Sequence, residues 1–247
     1  MFEIDEHSIH SPFMFDLYLK AIKNAKKISD DPPIENLRKI YQKDIYSFQM
    51  KDLGAGSRIL KNKTKKISDI VKHGITKPKY SKLLLSLINY FQCIHILELG
   101  TSLGLNTLYL AKGKHVKILK TFESDQNLAN LALKNFKLSP ENKIDLILGD
   151  INETLNQYLK QNDDIDFVYL DANHTYEATL KYTQDIIPHL SGQAVLVIDD
   201  IYWSADMTKA WKKICDSCST RCCLDLYQLG IIIFQKNCAA GYYCLAY

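Results

Sequence analysis

Five acidic positions recur through the later part of this 247-residue chain, each directly after a short apolar run: Glu98, Glu123, Asp150, Asp171 and the pair Asp199-Asp200. Acids are poor strand residues, so an acid closing every run is a pattern rather than scatter. In an open α/β sheet, ligands bind beyond the carboxyl ends of the strands. The first of these positions lies in Ile94-His95-Ile96-Leu97-Glu98-Leu99-Gly100-Thr101-Ser102-Leu103-Gly104-Leu105-Asn106. That stretch reads as a buried strand, an acid, a glycine turn and a helix start. Gly100 and Gly104 allow positive φ or close approach to a ligand. The helix start adds unpaired N–H groups and a positive dipole end. Together they make a nucleotide cradle. Glu123, followed by Ser124, lies 25 residues after Glu98 and has the chemistry to accept both hydroxyls of a ribose.

The second constellation is Asp171-Ala172-Asn173-His174 with Asp199-Asp200. Three carboxylates converging from neighbouring strand ends repel unless a cation sits between them. Oxygen-only ligation suits Mg²⁺, Mn²⁺ or Ca²⁺, with Asp171, Asp199 and Asp200 as the ligands. His174 titrates near neutral pH and is the candidate base, with Asp171 beside it. Tyr176, Tyr202 and Trp203 offer aromatic faces for a ring substrate. The alternative for this cluster is plain: Asp199-Asp200 cap a strand and a loop, and His174 packs.

The elements that must hold these residues alternate. Strands are expected at Ile94–Leu99, Val116–Phe122, Ile144–Leu148, Phe167–Leu170 and Ala194–Ile198. Helices are expected at Asn106–Leu110, Leu128–Phe136, Leu155–Leu159, Tyr176–Leu190 and Met207–Cys215. Two further runs, Cys222–Tyr227 and Gly230–Phe234, are joined closely and read as an antiparallel pair. The expected fold is therefore α/β, a doubly wound, mostly parallel sheet of seven strands. Residues 1–92 read as helical, with Ser11-Pro12 as a start signal. They are expected to form an N-terminal cap over substrate access, with residues 93–247 as the nucleotide-binding domain.

The string Glu98-Leu99-Gly100-Thr101-Ser102-Leu103-Gly104 resembles motif I of class I S-adenosylmethionine-dependent methyltransferases, closest to the catechol and sugar O-methyltransferase branch. The His-Ser-Pro-Phe string at His10 is similar to one in a bacterial group of methyltransferases of unassigned substrate. The resemblance spans roughly residues 75–235. It implies S-adenosylmethionine as cofactor, held by Glu98, Gly100, Thr101, Ser102, Gly104, Glu123, Ser124, Asp150, Ile151 and Asp171. Asp150 would meet the adenine amine and Ile151 the ring face. It also implies a metal on Asp171, Asp199 and Asp200 that binds two vicinal substrate oxygens. The family often has a lysine base three residues after the first ligand. This chain has His174 there, which shifts the expected acceptor from a catechol to a sugar-like or other small molecule.

Composition narrows the rest. The net charge is +3, with nine basic residues and one acid (Asp69) in residues 57–82. That run is a solvated face or a contact for an anionic partner, which keeps an RNA-modifying enzyme as an alternative. A non-catalytic S-adenosylmethionine-binding protein is the other. No apolar stretch reaches membrane-span length, and Met1–Glu6 shows no signal pattern, so a cytoplasmic protein is expected, with a homodimer left open. The seven cysteines suit reduced, partly buried thiols, and Cys215-x-x-Cys218 with Cys222-Cys223 is too tightly spaced for zinc. Asp52-Leu53-Gly54-Ala55-Gly56-Ser57 imitates a cofactor loop but has no strand before it, and is expected near the site mouth. No Pro-Pro-Tyr string follows the fourth strand, no P-loop occurs and no nucleophile elbow occurs, which argues against base-amino methylation, P-loop hydrolysis and serine-hydrolase chemistry.

Overall fold

The computed structural model describes residues 11–49, 64–139, 143–218, 221–235, 238 and 240–247. His7, His10, the Gly54–Gly56 loop and residues 57–63 of the basic run lie outside the described residues.

The central element is β3 (His95–Leu99), with every residue buried. It pairs in parallel with β4 (Ile118–Glu123) on one side and β6 (Ile165–Leu170) on the other. β5 (Ile144–Leu148) extends the β4 side, and β7 (Leu190–Asp199) the β6 side. β9 (Leu229–Ile233) joins β7 antiparallel, and β8 (Cys222–Asp225) joins β9 antiparallel. The chain thus runs outward from β3 in one direction through β4 and β5, then returns to β6 and runs the other way. The reversal point lies between β3 and β6, where a doubly wound sheet opens its ligand crevice.

The doubly wound sheet and the closing antiparallel pair are as the sequence predicts. The strand count differs. A further strand, β10 (Gly241–Cys244), pairs in parallel with β8 and makes the sheet eight-stranded, against the seven expected. Four residues at an edge carry little periodicity, and their partner is assigned only by tertiary contact. A separate two-stranded hairpin joins β1 (Ser47–Gln49) to β2 (Thr64–Lys66).

Alternate residues of the strands feed two faces. Ile96, Phe167, Tyr169, Val195 and Val197 point into one layer, with α1 (Pro12–Leu17) and α4 (Pro78–Tyr90). Leu97, Leu99, Val168, Leu170, Leu196 and Ile198 point into the other, with α7 (Ile151–Leu159), α8 (Tyr176–Ile186) and α9 (Ala205–Ser217). This period of two on central strands buried on both faces is what parallel pairing requires. A third cluster links α2 (Pro32–Gln42) and α3 (Ile67–His73) to α5 (Leu105–Leu110) and α6 (Gln126–Asn135). The expected boundary at residue 92 is therefore not a packing boundary. Met14, Leu17 and Ile22 sit in the same cluster as the sheet, sharing with α4 the cover of that face of β3, β6 and β7.

Candidate active site

The loop after β3 is shaped by its glycines. Gly100 has φ +103°, and a Cβ there would stand 2.1 Å from the carbonyl oxygen of Asp171. The loop after β6 thus demands a glycine here. Gly104 has φ +73°, and a Cβ there would meet the Phe136 ring at 2.5 Å. Ser102, between them, is itself left-handed at φ +50°.

The two acids of this half are wired into the scaffold. Glu98 is wholly buried. It accepts from Asn106 Nδ2 (2.9 Å), Thr107 Oγ1 (2.5 Å) and Thr121 Oγ1 (2.7 Å). Burial outweighs these three bonds and pushes its carboxyl up to about 7. Glu123 accepts the backbone N–H of Ser102 (2.7 Å), Ser124 (2.9 Å) and Asp125 (2.9 Å). Burial raises its pKa against those bonds. Both carboxylates clasp α5, β4 and the glycine loop together. Thr101 is buried as well, its hydroxyl 2.6 Å from that of Thr121.

Asp150 caps α7, accepting from Asn152 N at 2.9 Å. Ile151, expected over a ring face, is 6% exposed and packs with Leu99, Phe122 and Leu155. The reason is that the helix begins at Ile151, not at Leu155 as its apolar spacing suggests, so this side chain turns inward on the first turn.

The second half is held by long-range partners. Asp171 donates its N–H to the Leu99 carbonyl (2.9 Å), which locks the β6 loop to the β3 end. His174 Nε2 lies 3.3 Å from Asp171 Oδ1 and 3.9 Å from Asp200 Oδ2. Burial disfavours its charge, but the bond to Asp171 and the charges of Asp171, Asp200 and Asp199 outweigh that and raise it to about 9. The surrounding acids thus favour the protonated ring.

Asp199 is buried. Tyr169 donates its hydroxyl to Oδ2, while Oδ1 accepts Asp200 N–H (2.7 Å) and Gln228 Nε2 (3.0 Å). Burial, then the charges of Asp171 and Asp200, push Asp199 up to about 7. Gln228 Nε2 also donates to Asp200 Oδ1. Tyr169 lies 3.3 Å from Asp171 Oδ2 and 3.1 Å from Thr76 Oγ1. Asp171, Asp199 and Asp200 thus do gather at one place. They do not make the expected metal ligand set: among the described residues no three of His, Cys, Asp and Glu are disposed to hold a metal ion. Their oxygens face protein donors instead, so the residues present do not fit a cation.

Ser102, Asn173, His174, Asp200 and Tyr227 all take positive φ without being glycine, and all stand at this edge of the sheet. Such outliers cost about 1–3 kcal/mol each and persist where the surroundings over-determine them. Sequence reading missed Thr76, Tyr169 and Gln228. Tyr169 was legible only as strand, and the other two arrive from loops distant in sequence. Tyr202 and Tyr227 form a tilted pair, 5.4 Å between centroids, while Lys209 Nζ lies 4.7 Å from the Tyr176 ring centroid and Trp203 packs against the core layer of Leu170 and Ile198.

Part of the basic run is spent within the chain. Lys82 pairs with Asp30 at 2.8 Å, and Lys79 lies 4.5 Å from the Tyr80 ring centroid. No helix among the described residues is long and apolar enough to cross a membrane.

Comparison with known proteins agrees with this geometry. Residues 97–201 match a family model described as a methyltransferase domain. No curated protein matches the chain by sequence. Among solved structures, the O-methyltransferase TomG from Streptomyces achromogenes, involved in tomaymycin synthesis, superposes with a TM-score of 0.63 at 14% identity, covering 88% of this chain and 96% of its own. An O-methyltransferase from Bacillus cereus does so at 0.60 and 16% identity, covering 87% and 96%. The Podospora anserina methyltransferase PaMTH1 does so at 0.61 and 14%, covering 91% and 97%. At these identities the likeness is one of fold. Residues 97–201, the β3-to-β7 core, thus match a methyltransferase domain, and the chain has the fold of the O-methyltransferase structures it superposes on.

Proposed function

We propose that the enzyme transfers the methyl group to a hydroxyl oxygen of a small-molecule acceptor. One observation carries the reading: the glycine loop and the Asp171–His174 pair are in direct contact, with Gly100 packed against the Asp171 carbonyl. A cofactor seated on the loop after β3 would present its methyl beside the two groups able to manage an acceptor proton. The solved relatives named as O-methyltransferases support oxygen as the acceptor atom.

Bound S-adenosylmethionine supplies an electrophilic methyl on a sulfonium. The donor set at the loop suits it: Ser102, Glu123 and Ser124 line the end of β4, and Asp150 the end of β5. Glu98, Glu123 and Thr101 then act by holding the loop in shape. His174, kept as the imidazolium, donates to the acceptor oxygen and orients it, while the Asp171 carboxylate receives the hydroxyl proton. Residues 1–92 shape access, with Thr76 as the part that reaches the cluster. The cytoplasm is the proposed location, where cysteines outside any disulfide are at home.

The test is S-adenosylhomocysteine release from a panel of hydroxylated acceptors. His174→Ala should lower kcat by roughly 10²–10³-fold. S-adenosylhomocysteine affinity should stay within about twofold, and His174→Gln, which keeps a donor, should restore part of the rate. Full turnover by His174→Ala would overturn the role given to this pair.

A further inference from the structure

We propose that Gln228 stands in this chain where the resemblance would put a cation, so that the Asp171, Asp199 and Asp200 cluster is complete without a metal. The inference rests on the methyltransferase reading for the meaning of the cluster, but not for its geometry.

Carboxylates drawn together in a buried site need compensation. A divalent ion provides it by bridging oxygens from different residues. Here two protein donors make the bridges. The Gln228 amide nitrogen spans Asp199 Oδ1 and Asp200 Oδ1, one hydrogen to each. The Tyr169 hydroxyl, donating to Asp199 Oδ2, lies within 3.3 Å of Asp171 Oδ2. The His174 ring adds a further contact, with Nε2 3.3 Å from Asp171 Oδ1. Both oxygens of Asp199 and Oδ1 of Asp200 are thereby engaged by protein donors.

The amide is presented by a turn built to keep it there. Gln228 lies between β8 and β9, and its N–H closes onto the Leu226 carbonyl at 2.8 Å. Tyr227 takes φ +67° to make the reversal, and its N–H donates to Asp225 Oδ1 at 2.8 Å. Asp225 is buried, and its other oxygen receives the hydroxyls of Tyr202 (2.5 Å) and Tyr242 (2.7 Å). β10, which brings Tyr242, is thus part of the support. A side chain on a turn so anchored is positioned, not incidental. An amide cannot polarise an acceptor as a Lewis acid does. Gln228 is accordingly a positioning residue, and it fixes the acids on which His174 rests.

The experiment is Mn²⁺ titration of the full chain, followed by the resonance of free Mn²⁺, on wild type, Gln228→Met and Tyr169→Phe. Calorimetry with S-adenosylhomocysteine, with and without EDTA, runs alongside. Gln228→Met keeps the length and removes the bridge. Wild type should take up no stoichiometric Mn²⁺ at millimolar concentration. At least one variant should bind it tenfold more tightly or better, and lose that uptake when Asp199→Asn is added. Cofactor-product affinity of wild type should not change with EDTA. Stoichiometric Mn²⁺ uptake by wild type, or no uptake by either folded variant, would overturn the proposal. Absence of S-adenosylhomocysteine binding would sink the methyltransferase reading instead, leaving the Mn²⁺ result to judge the bridge by itself.

Discussion

The two acid groups at the open edge of the sheet are built on opposite plans. Glu98 and Glu123 are satisfied from within one β3–α5–β4 segment: their donors are Ser102, Asn106, Thr107, Thr121, Ser124 and Asp125. Asp171, Asp199 and Asp200 depend on Thr76, Tyr169 and Gln228, drawn from the α3–α4 connection, the middle of the sheet and a distant hairpin. The first pair shapes a loop. The second set holds its own members apart from one another's charge. Identical residue types at equivalent strand ends therefore serve different ends, and the difference lies in who donates to them.

Gly100→Val should break the distinction most completely, because it strikes where the two plans meet. A branched side chain at φ +103° drives into the Asp171 carbonyl. We expect roughly 3 kcal/mol or more of lost stability from backbone strain and overpacking. S-adenosylhomocysteine affinity should fall at least a hundredfold by calorimetry, and unchanged affinity would remove the cofactor from this loop.

Glu98→Gln sharpens the contrast through pH. The folded pKa of Glu98 is raised from 4.5 to about 7, so the native state holds a proton that the unfolded state has lost. Its contribution is present below about 4.5 and is lost as pH rises through about 7. Wild type should therefore weaken between pH 5 and 8, by an amount on the order of 3 kcal/mol from this buried group. The variant should lose that part of the slope and be the more stable at pH 8. Asn106 can accommodate it, since its Oδ1 is buried without a partner and the amide can turn to accept from glutamine. Denaturant melts across pH read this directly. An unaltered slope would show that Glu98 is ionised in the fold throughout.

Thr76→Val is the mildest change and touches only the second plan. It removes the hydroxyl shared with Tyr169 and Asp171. A loss of about 1 kcal/mol is expected, with cofactor-product affinity unchanged. A large fall in affinity would mean that the two halves are less separate than their hydrogen bonds suggest.

The alternation of β3 to β7 with α5 to α9 was readable because period-two runs on strands buried on both faces leave few other assignments. The glycine loop was readable because backbone demands at Gly100 and Gly104 are local. The start of α7 was misplaced, at Leu155 and not at Ile151, because its first turn carries polar residues between the apolar ones. The metal was read from three acids of the right type. What surrounds them could not be read, since hydrogen-bond donors from residues 76, 169 and 228 are neighbours only after the sheet closes.

Sequence alone determined the doubly wound sheet, the strand-end placement of the acids and the glycine loop after β3, because each follows from local periodicity and backbone freedom. Tertiary structure alone decided that helices of the first 92 residues complete the core and that an eighth strand supports the far edge. It decided also that the acids after β6 and β7 face protein donors. Charge compensation acts across space, through bonds of about 3 Å between residues up to 95 positions apart, and no spacing along the chain encodes it.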